Sequence, residues 1–245
     1  MPSGSGACFA VRVRTAGIDL AASPRTTAAC VVRWARDGVR VERVLRRCTD
    51  LDLVGVLTGP SAKVGVDVPF GWPRGFARAV AAHAAGAEWP WRGQESERVR
   101  REHLRFRRTD FVAAQRLRRP PMTAAFDRLG AATARWAHVA DLLAANGVPV
   151  ARDGSGVACE VYPAGARYVW GLPDRSLDAV RATLPVAATE EDEAALRDEH
   201  AFDAFVAALV ARAVAKGRAH GPDDADLARE EGWLWLPEPG SLRTL

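Results

Sequence analysis

Apolar positions first gather in three short runs, 9–20, 26–35 and 38–48, separated by SPRT and RDG. Both separators are turn-forming, and runs of this length and composition read as strands. Spacing so close favours an antiparallel meander. Residues 50–58 (DLDLVGVLT) read as a short helix ended by Gly59-Pro60, and 63–69 contains KVGVDVP, apolar on both faces as a central strand must be. From Pro73 to Gly147 the period turns helical, with pieces at about 74–85, 95–106 and 121–146 punctuated by Trp89-Pro90 and Pro120-Pro121. A fifth strand is expected at 156–162, and Pro163 opens a short helix through Trp170. Thr189 before EEDE is an N-cap signal. The helix or helix pair it opens ends at Gly217, and its second half is the most hydrophobic helix of the chain. GWLWLP at 232–237 predicts a short strand or docking segment.

Three antiparallel strands, a helix, a central strand, helices, a strand and a C-terminal helix is the order of an RNase H-like fold. The expected class is therefore α/β: a mixed sheet, antiparallel then parallel, flanked by helices. Residues 73–147 would be a helical insertion beside the active-site edge of a single domain spanning 1–245. A chain of 245 residues with 48% hydrophobic residues can bury one large core.

The longest apolar stretch, about 201–215, is interrupted by Asp203 and Arg212 and is too short to span a bilayer. The N-terminus lacks the layout of a signal peptide. Cys8, Cys30, Cys48 and Cys159 form no zinc-like spacing. The expectation is a reduced, cytoplasmic protein without structural zinc and without a membrane partner. Net charge is +4, but ten arginines against four acids lie within 92–119. Such density suits nucleic-acid backbones. A solvated arginine face is the competing reading, because the chain has only two lysines and uses arginine as its general cation.

Four lone carboxylates interrupt apolar runs: Asp19 in AGIDLAA, Asp67 in VGVDVPF, Glu160 in VACEVYP and Asp203 in AFDAFVAALVA. An unpaired buried carboxylate costs several kcal/mol. A fold that gathers them around a divalent cation would offset that repulsion. Asp19 and Asp67 each end a strand, where ligands of open α/β sheets sit. Asp203 lies on a helix face with Val206, Ala207 and Val210, and His200 and Glu199 reach the same edge. Two Mg²⁺ or Mn²⁺ ions would suit phosphodiester hydrolysis, with Asp19 bridging them and Asp67 and Asp203 on either side. Each residue has a plainer reading: Asp19 and Asp67 as turn caps, Glu160 as an arginine's partner, His200 as a satisfied polar group. Arg107, Arg108 and Asp110 are candidate substrate contacts through bidentate phosphate binding; equally, Arg108 and Asp110 could pair with each other or with Glu160.

GIDLA, VGVDVPFGWP, RRTD (107–110), CEVYPA and EHAFDAFVAALVAR, in this order, resemble the family known as domain of unknown function 429, predicted RNase H-like nucleases. The resemblance runs over about 15–240 and includes the closing EEGWLWLP. It implies an RNase H-like fold, a metal site on Asp19, Asp67 and Asp203, and further acidic positions at Glu160 and Asp110. HAFDA also resembles the His-x-x-Asp helix of RuvC-type resolvases, which implies a metal or water contact for His200. There the fourth-strand acid is usually Glu, where this chain has Asp67. The expected function is a metal-dependent nuclease acting on DNA or RNA. A non-catalytic binding protein of the same fold is the alternative. A phosphotransferase would need two copies of the fold and a glycine-rich loop, where this chain has AASPRTT.

Overall fold

The computed structural model describes residues 13–119, 123–126, 129–172 and 174–245. Strands β1 (Arg14–Asp19), β2 (Ala28–Ala35) and β3 (Gly38–Arg46) form the antiparallel meander. Helix α1 (Asp50–Leu57) begins with a reciprocal capping box between Thr49 and Asp52. It leads into β4 (Lys63–Asp67), which runs parallel to β1 with Asp67 level with Asp19.

The insertion contains α2 (Arg74–Ala84), α3 (Glu97–Val99) continuing into a π-helical turn at Arg100–Arg105, α4 (Arg108–Leu117) and α5 (Leu129–Ala145). Helix α4 has no counterpart in the sequence expectation. Its segment, RTDFVAAQRL, carries a weak apolar stripe, and what starts it is Asp110 accepting from the Arg107 backbone N–H at 2.9 Å. The described part of the expected 121–146 helix is α5; Pro120-Pro121 lie outside the described residues, as do Cys8 and residues 9–12 of the expected first strand.

Strand β5 (Ala158–Val161) pairs parallel to β4. There follow α6 (Pro163–Trp170), α7 (Leu177–Arg181), β6 (Val186–Ala187), α8 (Glu190–Ala195), α9 (Glu199–Ala215), β7 (Ala219–His220), α10 (Ala225–Glu231) and β8 (Leu234–Pro237). The sheet order is β6-β3-β2-β1-β4-β5-β8-β7, antiparallel across the meander and parallel from β1 through β4 and β5 to β8. This is the mixed RNase H-like sheet. No helix among the described residues is long and apolar enough to cross a membrane.

Alternation along the strands divides the core in two. Ile18, Val64 and Val66 pack with Leu53, Leu57, Trp136, Val139 and Leu143 on the α1/α5 side. Cys30, Val32, Cys159 and Val161 pack beneath α9 on the other. Every residue of α9 from Ala201 to Ala211 is buried, the pattern of a helix enclosed all round.

Two glycines set how close α9 comes. A Cβ on Gly17 would lie 2.0 Å from the Ala204 carbonyl oxygen and 2.3 Å from the Ala208 nitrogen. One on Gly65 would lie 2.4 Å from the Ala207 oxygen. Only hydrogen fits there, so helix backbone rests on strand backbone. The Thr15 hydroxyl donates to the Ala208 carbonyl at 2.8 Å and accepts from Trp34 at 2.9 Å, which locks the helix lengthwise. Gly17 and Gly65 each precede by two residues an aspartate on the same face. The contact that seats α9 therefore also fixes its N-terminal end over Asp19 and Asp67.

Candidate functional site

β1 and β4 end level, and α9 runs antiparallel to β1, with Ala208 by Thr15, Ala204 by Gly17 and His200 by Asp19. Its first turn therefore stands over the carboxyl ends of both strands. Asp198 caps that turn by accepting from the His200 and Ala201 N–H groups, both at 3.0 Å. The positive end of the helix dipole faces the strand-end aspartates, an environment that favours anions.

Asp19 is partly buried, and its Oδ2 lies 2.7 Å from His200 Nδ1. Desolvation raises its pKa to about 6 despite the stabilising His200 hydrogen bond, with Asp203 adding to the rise. Asp67 is pushed well above the usual carboxylate range, first by desolvation and then by the charges of Asp19, Asp203 and Glu160. Among the described residues no hydrogen-bond donor or cation offsets these.

Asp203 sits one helical turn beyond Glu199, buried, with its oxygens turned to arginines. Arg175, in the segment between α6 and α7, donates to Oδ2 at 2.7 and 3.1 Å. Arg167 on α6 places Nε 3.6 Å from Oδ1, beyond hydrogen-bond reach, so that oxygen and that nitrogen are both buried without a partner among the described residues. Neither arginine stood out in the sequence. Arg175 lies in an irregular segment whose fold position is set only by the tertiary structure, and Arg167 reads as an ordinary polar position in ARYVW.

Glu160 takes a different place from the one its apolar surroundings suggested. In the parallel register it stands beside Val66, so it shares the α1/α5 face with Val66 and not the α9 face with Asp67. There it accepts from Arg107 at 2.7 and 2.8 Å and from the Phe70 N–H at 2.8 Å. Arg107 is 2% exposed and uses all five of its N–H donors: on Glu160, on both oxygens of Asp110 and on the Glu231 carbonyl. Burial opposes its charge, but Asp110 and Glu160 together outweigh that and keep the guanidinium ionised. Arg107 and Asp110 thus tie the insertion to β5 and leave no donor for a phosphate. Arg108 points away and pairs with Asp223 at 2.6 Å.

The Glu231 carboxylate accepts the backbone N–H of Arg74 at 2.8 Å and of Arg108 at 3.0 Å, which caps α2 and α4 together. Phe70 stacks on Trp136, ring centroids 4.5 Å apart. The VDVPFGWP, RRTD, CEVYPA and EEGWLWLP strings therefore meet in one buried knot behind the strand ends. A cavity of about 380 Å³ opens on it, lined by Asp19, Asp67 and His200 and also by Glu160, Arg107 and Asp110 of the knot.

Among the described residues no three His, Cys, Asp or Glu side chains converge closely enough to enclose an ion. Asp19 and Asp67 alone still fit a hard divalent cation, because Mg²⁺ usually takes one or two carboxylates and completes its shell with water and phosphate oxygens. What favours a cation there is Asp67, desolvated beside Asp19 and without a donor or cation of its own among the described residues.

Fold and site together define an RNase H-like protein with acidic side chains at the carboxyl ends of its first and fourth strands. A family model described as protein of unknown function (DUF429) matches residues 17–227, and the chain belongs to that family. No curated protein and no solved structure matches.

Proposed function

We propose that this protein is a metal-dependent nuclease that hydrolyses phosphodiester bonds in nucleic acid. The observation that carries the reading is Asp19 and Asp67, level on adjacent parallel strands beneath the N-terminus of α9, with Asp67 desolvated and without a hydrogen-bond donor or cation of its own among the described residues. Mg²⁺ or Mn²⁺ bound by these two would polarise the phosphate and lower the pKa of bound water. Asp19 orients the His200 ring through Nδ1, 2.7 Å from its Oδ2, so His200 is the group placed to take a proton near the strand ends. Arg175, 40% exposed at its side chain, supplies positive charge that can move from Asp203 to a phosphate oxygen.

The expected two-ion arrangement needs Asp203 as a ligand, and Asp203 is committed to Arg175 and Arg167. One ion on Asp19 and Asp67, with Arg175 as the second positive charge, is the simpler form. The same ion pair favours a second reading, a non-catalytic binding protein whose site is closed by arginine.

Calorimetric titration of Mn²⁺ into the wild type, Asp19→Asn, Asp67→Asn and Asp203→Asn, followed by a panel of labelled DNA and RNA substrates, tests both. The nuclease reading expects binding lost in the first two variants and Mn²⁺-dependent cleavage that disappears with it. Metal binding with no cleavage of any substrate would favour the second reading, and no metal binding even with oligonucleotide present would end the first.

A further inference from the structure

A cavity of about 510 Å³ opens on α6, lined by Arg119, Ala164, Arg167, Tyr168, Gly171 and Leu172. Its charged lining is two arginines with no acid. Tyr168 is 49% exposed, large for an aromatic ring, and the Arg119 guanidinium lies over it, 5.6 Å from the ring centroid. The chain reaches that position through an unusual turn. Arg118, at the C-cap of α4, takes the left-handed conformation at φ 52°, which costs energy for any residue but glycine.

Arg167 joins this cavity to the candidate site, since it lines the one and faces Asp203 in the other. Tyr162 lies between them. Burial raises its hydroxyl pKa, Asp67 adds to the rise, Arg119 and Arg167 oppose it, and Asp203 raises it again.

We propose that the Arg119–Arg167–Tyr168 cavity binds one nucleotide of a single-stranded nucleic acid whose neighbouring phosphodiester lies at Asp19 and Asp67. The identity of the occupant rests on the nuclease reading; the chemistry of the cavity is its own. Two guanidiniums on one cavity wall, Arg119 over the tyrosine ring and Arg167 with its Nε toward Asp203, suit a backbone phosphate. An exposed tyrosine suits a base that has left its stack, and an arginine beside the ring adds to such binding. The volume is in the range of sites that hold one small-molecule-sized unit. A paired duplex keeps its bases stacked and cannot offer one to Tyr168.

The test is fluorescence anisotropy of labelled oligo(dT), oligo(rU) and a duplex of equal length, in EDTA so that no bond is cut. Wild type is expected to bind single strands more tightly than duplex, and the dT and rU arms separate DNA from RNA. Tyr168→Ala should weaken single-strand binding about tenfold or more and Tyr168→Phe should restore it, because stacking needs the ring and not the hydroxyl. Arg119→Ala should lower the slope of log affinity against log salt by about 0.7, one phosphate contact. Equal binding by wild type and both alanine variants, or duplex bound as tightly as single strand, would overturn the proposal. The two readings fail separately. Cleavage by wild type and by Tyr168→Ala with the same KM sinks this subsite and leaves the nuclease. Single-strand binding lost in Tyr168→Ala, with no Mn²⁺-dependent cleavage by any form, keeps the subsite and sinks the nuclease.

Discussion

Replacing Gly17 by alanine adds one methyl group at the place where α9 meets β1. The new Cβ would sit 2.0 Å from the Ala204 oxygen and 2.3 Å from the Ala208 nitrogen, both backbone atoms that no rotamer change can remove. Restoring even a 3.0 Å contact requires α9 to withdraw by about 1 Å. Overpacking of a tight core costs about 1–3 kcal/mol, and a clash with helix backbone belongs at the upper end. At about 2–4 °C per kcal/mol for a chain this long, Tm should fall by about 6–12 °C. The movement also draws His200 off Asp19 while Asp19 and Asp67 stay on the sheet. A displacement of 1 Å in a catalytic group costs about 100-fold in rate, so catalysis should suffer far more than Mn²⁺ affinity. Differential scanning calorimetry, with the His200 imidazole followed by NMR, reads both effects. Gly55→Ala is the control, since its Cβ would meet nothing within 4 Å and it lies inside helix α1. A Gly17→Ala protein melting within 2 °C of wild type, with the His200 signal unmoved, would refute the close-packing argument.

Arg107→Met strands the buried carboxylates of Glu160 and Asp110 and should cost about 3–5 kcal/mol in urea unfolding, with part recovered on adding Glu160→Gln; an unchanged midpoint would mean the network contributes little. Arg175→Met frees Asp203 to join a cation, so Mn²⁺ affinity should rise about tenfold, the worth of one charge-assisted hydrogen bond. That gain should vanish in an Asp203→Asn background, and a fall in affinity would rule out the competition. Asp19 holds its proton more tightly folded, pKa about 6, than its ordinary value of 3.8, so between those values the folded state carries the extra proton. The Asp19 contribution to stability should therefore decline as pH rises from about 4 to 6, while Mn²⁺ binding strengthens, and Asp67, raised as well, extends both trends; Asp19→Asn should make both profiles shallower, measured by melting and titration across pH.

Much of this arrangement was legible in the residues. Asp19 and Asp67 end their strands where turn signals demand it, whereas the helix contact at Gly17 and Gly65 was not read from the sequence. His200 and Asp203 sit on the predicted helix face. Glu160 had two readings in the sequence, and one residue of register decides between them: it lines the cavity with Asp19 and Asp67 while its oxygens go to Arg107. The arginines around Asp203 were hidden because long cations report no burial through local pattern, and irregular segments such as 171–176 have no period to read. Helix α4 escaped because Glu231, 123 residues away from Arg108, supplies its cap.

The position of Glu231 bears on how the protein is made. The N-terminal turns of α2 and α4 wait on a carboxylate 157 and 123 residues downstream, and Arg107 waits on Glu160. A ribosome releases the three-stranded meander early, yet the insertion lacks both caps until residue 231 emerges. Contacts of such long range close slowly. The buried knot on which the candidate site rests is thus completed only once residue 231 has been made.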